Sequence, residues 1–113
     1  ELLDAISVFD NSSVAITRTE NFSSDNIYNY PNPFNSFTTL QYELPEDSFV
    51  NVTVYDMLGN VVNNLINANQ SSGYKSVQWN ATNSQGEPVS AGVYLYKIQA
   101  GDFVDTKKMI LLK

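Results

Sequence analysis

The side chains that could carry acid–base chemistry in this sequence are carboxylates, because the chain contains no histidine and no cysteine. Glu46 with Asp47, and Asp102 with Asp105, form local acidic pairs, and glycoside hydrolysis needs two carboxylates that flank a cleft. Both pairs fall at predicted turns between strands, where acidic residues ordinarily keep a surface soluble. The Ser-His-Asp and Cys-His arrangements are excluded. We therefore predict no catalytic residue and expect that the chain is not an enzyme.

A loop with the sequence NATNSQGEP has oxygen-bearing side chains at alternate positions before Gly86 and loosely resembles a calcium-binding loop. The residue after Trp79 is Asn80, which supplies an amide and not a carboxylate. This weakens the case for calcium, and a turn held by side-chain to backbone bonds is the alternative. We predict no metal ligand and no cofactor.

Length and charge limit the possible partners. The chain has 113 residues, close to the commonest domain size, and can form one core without disulfides. Twelve acidic and six basic residues give a net charge of −6, which repels phosphate backbones and anionic membranes. No stretch reaches the apolar length of a membrane span. We expect one monomeric domain with no membrane span and no affinity for nucleic acid.

The sequence ends with TKKMILLK, in which lysines enclose four large apolar residues. Residues 1–60 contain Arg18 as their only cation, so the C-terminal end is locally basic. Chain ends are usually polar and frayed. This segment is therefore predicted either to complete a sheet, with the lysines protecting an edge strand, or to be presented to a partner. An edge strand could do both, since it can offer a free backbone edge for strand addition.

Alternating apolar and polar residues predict strands along most of the chain. In TTLQYEL, Leu40, Tyr42 and Leu44 share one face, which is the period of a half-buried strand. The stretch DMLGN predicts a tight hairpin turn with Gly59 at positive φ. Periodicity leaves open which pair of residues in VYLY points inward. The predicted core consists of Leu40, Leu44, Val50, Val52, Val54, Val77, Trp79, Ile98 and at least two of the residues from Met109 to Leu112.

Six such strands at spacings of about eight to twelve residues, with turn residues between them, predict an all-β fold, an immunoglobulin-like antiparallel β-sandwich of about seven strands. Residues 28–113 are assigned to this domain. Residues 1–27 contain the linker-like stretch TENFSSDN and the weak strand candidates LLDAISVF and SVAITR. We interpret them as a linker or the tail of a preceding domain that could contribute a strand.

Six blocks of the sequence carry a family resemblance: YPNPFN, TTLQYELPE, VTVYDMLGNVV, SVQWN, GEPVSAGVYLYKI and TKKMILLK. In this order they resemble the C-terminal sorting domain of the type IX secretion system of Bacteroidetes. The Asn-Pro-Phe start and the Gly-Val-Tyr strand are also similar to the immunoglobulin-like domain of the flagellar hook-capping protein. The motif residues are Pro31, Asn32, Pro33, Phe34, Tyr55, Asp56, Gly59, Gly92, Val93 and Tyr94, and the terminal secretion signal is Lys107, Lys108, Met109, Ile110, Leu111, Leu112 and Lys113.

The resemblance implies a delivery module at the C-terminus of a secreted cargo. In that family the domain is recognised at the outer membrane, passes through the translocon, and is commonly removed by a sortase-like transpeptidase that joins the cargo to surface lipopolysaccharide. The implied partners are the translocon, the transpeptidase and a covalently attached N-terminal cargo domain. The implied location is secreted or at the cell surface, reached through the periplasm and outer membrane.

The alternative function is an adhesive, spacer or carbohydrate-binding module of a larger surface protein. Tyr30 and Phe34 could be exposed anchors of a binding loop, and Trp79 could be a platform for sugars. Aromatic residues in such positions more often belong to the core. We therefore predict that Phe34 and Trp79 are structural.

Overall fold

The computed structural model describes residues 26–113, which form seven β-strands and no α-helix. The strands are β1 (Tyr28–Tyr30), β2 (Thr38–Leu44), β3 (Ser48–Tyr55), β4 (Val61–Gln70), β5 (Gly73–Trp79), β6 (Gly92–Ala100) and β7 (Phe103–Leu111). The predictions for the N-terminal segment lie outside these residues, except at Asn26 and Ile27. Ile27 is buried in the core, so the folded unit includes the residue before the predicted domain start.

The strands form two antiparallel sheets that enclose one core. A three-stranded sheet has the order β1-β2-β5, and a four-stranded sheet has the order β4-β3-β6-β7. Two hairpins, β3 with β4 and β6 with β7, build the larger sheet. This arrangement confirms the predicted all-β, immunoglobulin-like sandwich.

The core contains the residues that alternation predicts, since successive side chains of a strand point to opposite faces. Leu40, Leu44, Val50, Val52, Val54, Trp79, Ile98, Met109 and Leu111 are buried, and Val77 is partly buried against them. The structure also decides the open question in β6. Tyr94 and Tyr96 point inward and are buried, whereas Val93 and Leu95 are only half-buried on the other face.

The β3–β4 hairpin turns as the sequence predicts. Gly59 has a φ of +89°, a conformation that costs glycine little because it has no Cβ. Between residues 26 and 113 there is no helix of the length and apolarity needed to cross a membrane.

We expect Met109→Ala to destabilise the domain far more than Leu112→Ala. Met109 is fully buried and Leu112 is exposed, and truncating a buried methionine to alanine typically costs about 2–5 kcal/mol, whereas surface substitutions usually stay within about 0.5 kcal/mol. Urea unfolding of the two variants measures the difference. Equal losses of unfolding free energy would contradict the assignment of these side chains to opposite faces.

Candidate functional site

The strand β7 carries most of the predicted secretion signal and divides it between two faces. β7 is an edge strand of the four-stranded sheet and pairs with β6 from Phe103 to Leu111. Met109 and Leu111 are buried in the core, whereas Ile110 is half-buried and Leu112 is exposed. The four apolar residues therefore do not form one surface: two stabilise the fold and two are available on the outside.

The adjacent lysines of the closing segment also differ. Lys108 lies on the outward face with Ile110 and is exposed. Lys107 lies on the inner side of β7, is half-buried and has an interaction partner. Side chains alternate along a strand, so the two lysines lie on opposite faces of β7, and the prediction that they protect an edge strand stays a prediction.

The outer edge of β7 is occupied near the chain end. The N–H of Phe34 donates to the carbonyl oxygen of Ile110 (3.0 Å), and the N–H of Leu112 donates to the carbonyl oxygen of Phe34 (2.7 Å). Phe34 and Leu111 form a parallel bridge. The predicted free backbone edge is therefore absent at Ile110 to Leu112, because the YPNPF segment crosses from the smaller sheet to pair with β7.

Asn32 closes the same contact through its side chain. Its Oδ1 accepts the N–H of Ile110 (3.0 Å), and its Nδ2 donates to the carbonyl oxygen of Lys108 (3.4 Å) and to Oδ1 of Asn29 (3.4 Å). The last strand is thus held by main chain and side chain together. The peptide bonds before Pro31 and Pro33 are both cis.

Two buried polar residues support this segment and were not identified from the sequence. Nδ2 of Asn29 donates to Oγ1 of Thr38 (3.1 Å), and the Thr38 hydroxyl donates to the carbonyl oxygen of Pro31 (2.7 Å). Both side chains are buried, and hydrogen bonds offset the cost of burying polar groups. The sequence did indicate that Thr38 faces the core, because Thr38 lies two residues before Leu40 and therefore on the same inward face of β2.

Three buried aromatic rings pack beneath the closing segment. The ring centroids of Phe34 and Trp79 are 5.8 Å apart, and those of Trp79 and Tyr94 are 5.3 Å apart, both in edge-to-face geometry. Nε1 of Trp79 donates to the carbonyl oxygen of Thr82 (2.8 Å), and the hydroxyl of Tyr94 donates to the carbonyl oxygen of Ser90 (2.6 Å). The prediction that Phe34 and Trp79 are structural is confirmed. Burial raises the pKa of Tyr94, and the negative charge of Asp56 raises it further.

Two segments of the family motif pair with the C-terminal end of β7, one on each edge of the strand. Gly92 and Val93 pair with Leu111 and Ile110 on one edge, while the Asn-Pro-Phe segment occupies the other. Tyr55, Asp56 and Gly59 lie farther across the sheet, because β6 separates β3 from β7. The structure thus brings the first and the fifth of the six blocks, YPNPFN and GEPVSAGVYLYKI, to the closing strand, whereas the hairpin of the third block does not contact that strand in the sheet.

The β3–β4 hairpin is organised by Asp56. Its Oδ1 accepts the N–H groups of Leu58 and Asn60, both at 2.9 Å, and its Oδ2 accepts Nδ2 of Asn60 at 3.3 Å. The N–H of Asn60 contributes most to a lowered pKa of the Asp56 carboxyl, because hydrogen bonds to a carboxylate favour its charged form. The turn therefore has a defined shape although it is exposed.

The loop that loosely resembles a calcium site is held by its own hydrogen bonds. Oδ1 of Asn83 accepts the N–H groups of Gln85 (2.9 Å) and Glu87 (3.0 Å), and Nδ2 of Asn83 donates to Oε1 of Glu87 (3.0 Å). These bonds favour a turn over a cation site. Among residues 26–113, no group of three or more acidic, histidine or cysteine residues is placed to hold a metal ion.

The acidic pairs considered for catalysis occupy different settings. Asp47 lies in the turn after β2, where its Oδ1 accepts the N–H of Ser72 at 2.9 Å. Asp102 lies in the β6–β7 turn. Asp105 does not lie at a turn as predicted but within β7, because that strand already begins at Phe103.

Comparisons with known proteins agree with the fold. Residues 35–102 match the family described as the FlgD Ig-like domain. PorZ of the type-IX secretion system of Porphyromonas gingivalis is similar in structure, with a TM-score of 0.57 and 21% identity over 79% of this chain and 12% of PorZ. FlgD from P. aeruginosa gives a TM-score of 0.52 and 27% identity over 67% of this chain and 64% of that chain. The chain thus spans less than two thirds of either protein, and no curated protein matches it.

We expect Asn32→Ala to expose the amide of Ile110 to solvent. The substitution removes the acceptor of that N–H, and a hydrogen bond contributes about 1 kcal/mol, so exchange of the Ile110 amide should become roughly fivefold faster. Hydrogen exchange measured by NMR tests this. The amide of Leu112 is the internal control, because its acceptor is the main chain of Phe34. Unchanged exchange at Ile110 would contradict the proposed role of Asn32.

We expect Asp56→Ala to lower the melting temperature at neutral pH and to matter progressively less in acid. The folded-state pKa of Asp56 is below its usual value of 3.8. A lowered pKa means that the stabilisation is complete above the usual value and is lost as the pH falls through the folded-state value. Thermal unfolding of both proteins from neutral to strongly acidic pH tests this. A difference in melting temperature that does not shrink in acid would contradict it.

Proposed function

This chain belongs to the FlgD Ig-like domain family, and we propose that it acts as a C-terminal sorting domain that directs an attached cargo through the type IX secretion system across the outer membrane. The proposed partners are the translocon, a sortase-like transpeptidase and a cargo domain joined to the N-terminal side. The cargo would pass from the periplasm to the outside or the cell surface, with cleavage and anchoring there.

The observation that carries this proposal is the outward position of Lys108 and Ile110 on β7 and of Leu112 directly after that strand. A receptor can recognise these side chains while Met109 and Leu111 remain in the core. Recognition and folding therefore use different residues of one segment. This arrangement fits a signal that is read in the folded state.

The sequence blocks support the secretion role more directly than the structural neighbours do. PorZ is described as an essential bacterial surface component of the type-IX secretion system. At 21% identity, however, the similarity supports a shared fold and not a shared role. The resemblance of YPNPFN, GVYLYKI and TKKMILLK to sorting domains is the part that concerns export. It involves the segments that meet around β7.

We propose a non-catalytic role for the chain. It contains no histidine or cysteine, so the commonest general base and the thiol nucleophile are missing. Its net charge of −6 disfavours a nucleic-acid partner. We propose that the domain works as a monomer through its surfaces.

A second candidate function, an adhesive or carbohydrate-binding module, is favoured by exposed tyrosines on the smaller sheet. Tyr28, Tyr30 and Tyr74 are all exposed and lie at outward positions of β1 and β5. The hydroxyl of Tyr28 donates to Oε1 of Gln41 at 2.7 Å. Exposed aromatic rings beside amides can bind sugars, so affinity for a polysaccharide that is lost in Tyr74→Ala would support this function.

The export function is tested by fusing the 113-residue chain to the C-terminus of a periplasmic reporter in a bacterium with a type IX system. We expect the reporter outside the cell, and we expect Lys108→Ala to lower its export without lowering the melting temperature of the domain, because Lys108 is exposed. Lys75→Ala is the control for loss of a lysine on the other sheet, and its melting temperature is measured as well, because Lys75 is half-buried and its Nζ donates to Oγ of Ser71 at 3.0 Å. Retention of a correctly folded fusion in the periplasm would overturn the proposal.

A further inference from the structure

Large apolar side chains are exposed at the tip of the β3–β4 hairpin. Leu58 is 87% exposed, and Met57 beside it is also exposed. The turn that carries them is not loose, because Asp56 accepts the N–H groups of Leu58 and Asn60. This turn keeps the side chain of Leu58 in water. That exposure does not stabilise the fold, because burying a leucine side chain would be favourable.

The apolar surface continues from the hairpin across the outer face of the larger sheet. Tyr55 pairs with Val61 on β4 and with Leu95 on β6, and Leu95 pairs with Lys108 on β7. Directly paired residues of antiparallel strands have Cβ atoms about 5 Å apart on the same face. One row of side chains therefore leads from the hairpin to the closing strand.

The next row reaches the end of the chain. Val93 on β6 pairs with Ile110 on β7, and Leu112 follows on the same side as Ile110 by alternation. The hairpin and the closing segment, more than fifty positions apart in the sequence, are thus joined by one surface. We call this surface the outer apolar patch and define it by six residues: Tyr55, Leu58, Val61, Leu95, Ile110 and Leu112.

The strands around the outer apolar patch carry lysines on their outward face although the chain is acidic, and the carboxylate beside the patch is that of Asp56 in the hairpin turn. In the strands of the larger sheet the only carboxylate is Asp105, and it lies on the inner face. Nζ of Lys97 is 5.6 Å from the ring centroid of Tyr55, and Lys108 ends the row described above. A face with lysines and no strand carboxylate is unusual in a chain of net charge −6.

We propose that the outer apolar patch is a composite docking surface for a protein whose matching surface is apolar and surrounded by carboxylates. The inference rests on the proposed function, and the occupant is then the export component that recognises the folded domain. Complementary charge steers such an encounter and excludes wrong partners. The signal is read from β3, β4, β6 and β7 together and not from the closing segment alone.

Charge favours an acidic protein over the other possible occupants. A two-fold contact places the same surface on both subunits, so a second copy would add its own Lys97 and Lys108 to the contact. An anionic membrane would attract these lysines but repel the chain, which has a net charge of −6. An acidic patch on a protein can pair with Lys97 and Lys108 without bringing the rest of this acidic domain close to an extended anionic surface.

The test compares export of the reporter fusion for variants inside and outside the patch. Leu58→Ser and Val61→Ser alter the patch far from the closing segment. Phe49→Ser and Val104→Ser are matched controls on the same outward face, because Phe49 and Val104 are 50% and 52% exposed against 60% for Val61. Each control lies six residues along its strand from the patch, which is roughly 20 Å. Urea unfolding of every variant checks that the fold is retained.

We expect Leu58→Ser and Val61→Ser to lower export roughly tenfold, the size of effect typical of central interface residues, while both controls export normally. Lys97→Glu should also lower export, whereas Lys75→Glu on the other sheet should not. Normal export of both patch variants, with loss of export only in Leu112→Ser, would overturn the composite surface and leave the sorting function intact. Retention of the unaltered fusion in the periplasm would overturn both.

Two further measurements decide between occupants. Sedimentation of the purified chain tests self-association, and flotation with phosphatidylglycerol vesicles tests a membrane. We expect a monomer that does not float. A dimer or vesicle binding that Leu58→Ser abolishes would overturn the proposed protein partner.

Discussion

Hydrogen bonding on both edges of β7 is the constraint on which the display of the closing segment depends. β6 pairs with one edge, and Asn32 and Phe34 occupy the other edge near the chain end. A strand held on both sides cannot rotate or slip, and a shift of one residue would exchange its two faces. Because Met109 and Leu111 are committed to the core, Lys108, Ile110 and Leu112 must face outward.

The blocks of the sequence that carry the family resemblance are far apart along the chain but physically dependent on each other. Phe34 contributes its main chain to β7 and its ring to the cluster with Trp79 and Tyr94. The segment before it is supported from β2 through the Thr38 hydroxyl. A change in one block therefore weakens the support of the others, and this interdependence explains why the whole set, in order, is informative and a single block is not.

The distribution of side chains on the larger sheet is typical of a domain that works by contact. The outer apolar patch leaves Leu58 exposed on an ordered turn, and the strands that carry the patch place Lys97 and Lys108 on the same outward face. Contiguous exposed apolar surface with a polar margin often marks an interaction site. The acidic pairs, by comparison, are distributed between turns and a strand and do not form a cleft with a defined polar centre.

The sequence alone determined the sandwich and most of its core, because alternation along a strand is a local property that follows from the pleat. The sequence also predicted the burial of Phe34 and Trp79, because aromatic residues more often belong to the core. It could not decide between the two faces of VYLY, since both are apolar, and it treated Lys107 and Lys108 alike. The tertiary structure decided that Tyr94 and Tyr96 face the core, that the edge of β7 is covered near its end, and that Tyr55, Leu95 and Lys108 lie side by side across three strands. These depend on which strands are neighbours, and strand order arises from long-range pairing that no local pattern encodes.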